Sequence, residues 1–193
     1  MQKKIAEFLS VVFMPQLSSS YFFILLSLHT PTPLLFIFIA VLFSSAFPLL
    51  SLLYYVIVMK GDANVFDKEN RTSLFLIAII SYLIGFILLR DLGAPFIFSA
   101  LMLSYTLNTT VAALVTKYFT KVSVHVWGIS GPSVAVFYYY GLLGLLTITI
   151  IAAIVGVARV QLRQHKTAQI LLSFVLSIPV TFFIIYGLSP LII

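Results

Sequence analysis

The chain has 193 residues and no cysteine, which excludes disulfides, thiolate nucleophiles and thiolate metal sites and leaves the redox compartment unmarked. It is also short of charge. Only 8% of the residues are charged, and the acids number five: Glu7, Asp62, Asp67, Glu69 and Asp91. Three of these fall between positions 62 and 69, but no paired Asp-rich motif recurs elsewhere to hold magnesium on a diphosphate. Three histidines without a cysteine argue against a zinc box. No soluble linker, low-complexity tract or internal repeat interrupts the chain. The reading at this point is of a site without metal or other cofactor.

What is there is apolar. Hydrophobic residues make up 62% of the chain, more than a soluble domain of this size can hide while keeping a polar skin. The composition therefore implies an all-α, polytopic membrane bundle of about six or seven spans, in a single domain covering 1–193. Candidate spans are 5–29, 33–59, 73–90, 94–117, 126–140, 141–160 and 168–190. The start, MQKKIAEFLSVVFMPQ, has the basic end and apolar stretch of a signal peptide, but no small-residue cleavage site follows. It reads as a retained first helix, kinked or broken at Pro15. The TPTP run at 30–33 marks the first turn, and GISGP at 128–132 predicts a distorted turn inside the short fifth span.

Parity along these spans gives the first functional result. Two crossings separate the polar interval KGDANVFDKENR (60–71) from KVSVH (121–125), and two more separate that from ARVQLRQH (158–165). All three intervals then meet one membrane face. Lys3, Lys4, Lys60, Lys68, Arg71, Lys117, Lys121, Arg159, Arg163 and Lys166 fall on that face, and only Arg90 on the other. The positive-inside rule makes the cation-rich face cytoplasmic, and setting aside Lys68, Arg71, Lys121 and Arg159 as site candidates leaves the asymmetry intact. The net charge of +6 thus fits topology and anionic head groups rather than nucleic acid.

Together the intervals offer Lys68, Arg71, Lys121 and Arg159 as cations, Ser123 as a hydroxyl donor, and His125 and His165 as titratable imidazoles. That set suits a phosphate monoester at the water–lipid boundary. Guanidinium groups fork onto phosphate oxygens and ammonium groups add compact charge. Phosphoryl transfer chiefly needs charge stabilisation and in-line positioning. One imidazole can attack phosphorus and a second can protonate the leaving oxygen.

The second and third intervals resemble signatures of the type 2 phosphatidic acid phosphatase superfamily of integral membrane lipid phosphatases. KVSVH is similar to its P-S-G-H motif at Ser123 and His125. ARVQLRQHKTAQ is similar to its S-R-x5-H-x3-D motif at Arg159 and His165, spacing preserved. The chain looks closest to a subgroup that writes K-[VI]-S-x-H followed by GxxG, here Gly128 and Gly131, and R-x5-H-T-x-x-Q, here ending at Gln169. The resemblance covers about 60–170. It implies that His165 forms a phosphohistidine, that His125 protonates the leaving lipid alcohol, and that Arg159, Arg71, Lys68 and Ser123 bind the phosphoryl oxygens without metal. The substrate it implies is a lipid phosphate within the bilayer: phosphatidate, phosphatidylglycerophosphate or a polyprenyl diphosphate.

Departures from the family pattern are specific. Val122 and Val124 replace the proline and glycine of the second motif, and Ala158 replaces the serine of the third. Gln169 stands where an aspartate orients the nucleophilic histidine. In the first motif, K-x6-R-P, Asn64 and Thr72 replace the lysine and proline beside Arg71. Lys68 therefore enters by proximity, with Lys60 as its alternative. Plainer readings stand beside these. Lys60, Lys117, Arg163 and Lys166 serve as topology anchors, Arg90 and Asp91 as a local ion pair, and His29, Trp127 and Tyr138–Tyr140 as interfacial residues. Gly128, Gly131 and Gly144 permit close helix contact. Two rival functions remain: a lipid-phosphate-binding protein without chemistry, and a magnesium-dependent prenyl or phosphoalcohol transferase using Asp62, Asp67 and Glu69.

Overall fold

The computed structural model describes residues 1–61 and 68–187, and only the backbone of residues 68–71. Asp62, Asn64 and Asp67, with the side chains of Lys68, Glu69 and Arg71, therefore lie outside the described residues. Among those described, all regular structure is helical. The elements are α1 (Lys3–Val12), α2 (Pro15–Ser27), α3 (Leu34–Val41), α4 (Phe47–Ile57), α5 (Lys68–Asp91), α6 (Phe96–Tyr118), α7 (Val124–Ser130), α8 (Ser133–Gln161) and α9 (Thr167–Phe182). A π-turn over Leu42–Ala46 joins α3 to α4, and another over Phe183–Gly187 extends α9.

Among the described residues, five stretches are long and apolar enough to cross a membrane: Leu34–Ile57, Thr72–Asp91, Phe96–Tyr118, Ser133–Gln161 and Thr167–Gly187. The pair α1 and α2, bent by 58°, is a sixth only where its two halves are counted as one broken span rather than a re-entrant loop. The bend follows from Pro15, which opens α2: lacking an N–H, it cannot continue the α1 ladder. Large apolar side chains lie both inside the bundle and on its outer surface, where Leu34 is 82% and Leu143 77% exposed. Such an outside is stable against lipid and unstable against water.

α8 does not run straight. At Gly141 the backbone takes φ 59° and ψ −155°, which side chains other than hydrogen rarely tolerate. A Cβ on Gly144 would sit 3.0 Å from Val136 Cγ1, whereas eight residues of straight helix span about 12 Å. The chain therefore reverses here, and the arm after Gly141 returns so that Gly156 packs against Val126 and Ile170. This matches the expected division into 126–140 and 141–160.

The two ends of the bundle are distinct. At one, the His29 ring stacks on Tyr139 and meets the edge of Tyr140, while Tyr138 contacts Phe96 and Tyr186. The turns after α2, α5 and the first arm of α8 thus share this end. The loops before α7 and α9 share the other. α6 lies at the centre, with Phe98, Leu101 and Met102 fully buried beside Ser99, Ser104 and Asn108.

Two expectations are corrected. Trp127 is not an interfacial belt residue: it is 4% exposed, and its indole N–H donates to Asn108 Oδ1 at 2.7 Å. Asn108 Nδ2 in turn donates to Thr181 Oγ1 at 2.8 Å. α7 lies within the bundle, so its indole meets a polar partner on α6 instead of head groups. Arg90 and Asp91 are both exposed and make no ion pair among the described residues. Successive helical residues point about 100° apart, which separates the two side chains.

Candidate active site

The third motif is folded by the end of α8. Leu162 closes the helix, Arg163 N–H donates to Val160 O at 2.9 Å, and Gln164 N–H reaches back to Arg159 O at 3.0 Å. This is a Schellman end with Arg163 in the left-handed region at φ 56°. It turns the chain so that Gln164 and His165 fold back beside Arg159, which gives the x5 spacing a structural meaning. Arg159 is 4% and His165 6% exposed.

α9 then begins at Lys166, and its first turn holds His165. Gln169 Oε1 accepts from the Lys166 backbone N–H at 3.0 Å and faces His165 Nδ1 at 3.3 Å. Because a backbone N–H can only donate, the atom facing it must be the amide oxygen. His165 Nδ1 consequently carries the proton, and Nε2 is the basic ring nitrogen in the neutral form. The other end of the amide donates to Thr120 Oγ1 at 3.1 Å, tying the third motif to the loop of the second. Gln169 thus caps a helix, orients an imidazole and bridges two intervals.

The second motif is built around Ser123, the residue that precedes α7. Its backbone N–H donates to Ser173 Oγ at 3.0 Å, and Ser173 Oγ donates to Gln169 O at 2.8 Å. The Ser123 hydroxyl is completely buried and has no hydrogen-bond partner among the described residues. Two residues on, His125 Nε2 donates to Ser10 O at 3.1 Å. That carbonyl is available because α1 breaks: Met14 N–H turns to Val11 O instead of Ser10 O. The Pro15 break therefore fixes the tautomer of a histidine more than a hundred positions away.

His125 and Arg159 line one cavity of about 590 Å³. Lys3, Glu7, Ser10, Gln16 and Gln164 line its polar end, where Lys3 and Glu7 pair at 3.9 Å. Its walls continue past Trp127 to Phe75, Tyr82, Leu101 and Tyr105. Tyr105 lies 13 residues before the end of α6 at Tyr118, about 20 Å along the axis. The cavity is therefore a polar mouth on an apolar shaft. Ser123, Lys121, His165 and Gln169 are not among its lining residues. The structure thus brings the second and third intervals together, while Lys68 and Arg71 fall where side chains are not described. Sequence reasoning missed Ser10, Gln16 and Gln164. The first two belong to an apolar N-terminal segment with no motif, and only the α1–α2 bend carries them to the site.

No family model matches the chain, and neither does any curated protein or solved structure.

Proposed function

We propose that the chain is a metal-independent lipid phosphatase of the type 2 phosphatidic acid phosphatase kind, acting on a phosphomonoester or terminal phosphate whose lipid tail occupies the apolar shaft. The observation that carries this reading is the His165–Gln169–Lys166 arrangement, which leaves Nε2 the basic nitrogen of a buried imidazole at the helix end that also carries the buried Arg159. In this reading His165 Nε2 attacks phosphorus as the bond to the lipid oxygen breaks. His125 supplies the proton that the leaving alkoxide takes up. Water then cleaves the N–P bond, releasing inorganic phosphate and restoring the imidazole. Arg159, with Ser123, Lys121, Arg71 and Lys68, neutralises the equatorial oxygens. The apolar walls suit an acyl or isoprenoid chain, since such a tail gains free energy in proportion to the apolar area it hides. The charge asymmetry supports a site facing the cytoplasm.

The test is phosphate release from a panel of phosphatidate, phosphatidylglycerophosphate and polyprenyl diphosphate in EDTA, with His165→Ala alongside. Turnover should persist under chelation and vanish in the variant. Activity that survives His165→Ala would remove the histidine mechanism, and activity lost to EDTA would favour the magnesium-dependent transferase.

A further inference from the structure

The cavity mouth holds more hydrogen-bonding capacity than a phosphate and two histidines use. Three residues that line it, Ser10 on α1, Gln16 on α2 and Gln164 after α8, each carry a buried side-chain oxygen with no hydrogen-bond partner among the described residues. Ser10 is 8% exposed. A buried acceptor without a donor costs about 1–3 kcal/mol, so three around one cavity form an incomplete shell.

Their positions converge. The Ser10 carbonyl holds His125, and Pro15, the neighbour of Gln16, lies against Gly128 one turn further along α7. Gln164 is folded back onto Arg159 by the helix end described above. The three oxygens therefore border the segment of cavity between His125 and Arg159, where the phosphate-bearing part of a substrate would sit. Two of the three are amide oxygens, which only accept, and a phosphate dianion offers them no proton. Their partner is a neutral group next to the phosphate.

We infer that Ser10, Gln16 and Gln164 form a subsite for a hydroxyl group carried by the lipid near its phosphate, so that the substrate is a hydroxyl-bearing lipid phosphate. A hydroxyl both donates and accepts, so it completes either orientation of each glutamine amide and also the serine. An ester carbonyl only accepts, and a polyprenyl chain offers nothing. Of the three lipids named above, only phosphatidylglycerophosphate has a hydroxyl on the carbon next to the phosphate-bearing one. This inference rests on the phosphatase reading and narrows it.

The experiment compares two substrates that differ in one atom group: 1-acyl-glycerol 3-phosphate and its 2-O-methyl ether, both assayed in EDTA with the full chain in detergent. The wild type should prefer the free hydroxyl by about tenfold in kcat/KM, which is what one net hydrogen bond supports. In Gln16→Leu, Gln164→Leu and Ser10→Ala the ratio should fall toward one. A wild-type ratio near one would overturn the subsite, as expected if water alone satisfies these atoms, and so would variants that leave the ratio unchanged. The substrate comparison stands even if a variant fails to fold. Absence of turnover on both substrates and on the whole lipid panel would instead sink the phosphatase reading.

Discussion

Gln169 is the residue at which the proposed chemistry and the local fold can be separated. Replacing it with leucine keeps the volume and deletes three hydrogen bonds, to His165 Nδ1, Lys166 N–H and Thr120 Oγ1. A neutral bond contributes about 1 kcal/mol net, and Lys166 is exposed, so water replaces its share. The expected loss of stability is about 1–2 kcal/mol. The loss of rate has a different origin. As His165 Nε2 attacks phosphorus the ring becomes cationic, and a bond from a charged donor is stronger than a neutral one, about 1.5–3 against about 1 kcal/mol. The difference, about 0.5–2 kcal/mol, belongs to the transition state and predicts a fall in kcat of roughly two- to thirtyfold. Gln169→Glu keeps both acceptor roles, and the Thr120 hydroxyl can turn to donate. It should retain at least half of the wild-type kcat. Rapid-quench trapping of acid-labile phosphoenzyme, beside steady-state phosphate release, measures both. Wild-type kcat in Gln169→Leu, or equal damage in Gln169→Glu, would refute the orienting role.

Two further outcomes concern the fold and its placement. Gly141→Ala should destabilise the protein by about 1–3 kcal/mol in a detergent thermal-unfolding assay, because a Cβ there meets no neighbour and only the backbone conformation resists it; an unchanged midpoint would mean that α8 does not reverse at this residue. Since the chain has no cysteine, Asn64→Cys gives a single reporter, and it should resist an impermeant thiol reagent in intact cells. Ready labelling would turn the bundle over and place the cation-rich end outside.

Much of the architecture was legible one residue at a time. Apolar runs, Pro15 and the GISGP break set where helices run and stop, because helix length and the loss of an N–H are local constraints. Parity followed, and with it the sharing of one end by the second and third intervals. Other features gave no local sign. The division between 140 and 141 was expected, but the left-handed backbone at Gly141 that turns the chain there was not. The helix end at Arg163 lacks the glycine that would mark it. Trp127 looked interfacial because an indole prefers a wet N–H, and it found Asn108 in the bundle instead.

The sequence by itself determined a membrane-embedded helical chain and the chemical types gathered at one end, since both depend on composition and spacing. Only the tertiary structure decided which nitrogen of His165 stays basic, that a carbonyl of α1 holds His125, and that three neutral oxygens border the same cavity. Those are relations among groups up to 115 positions apart. Hydrogen-bond geometry fixes them within a few ångströms, and a linear pattern carries no such distances.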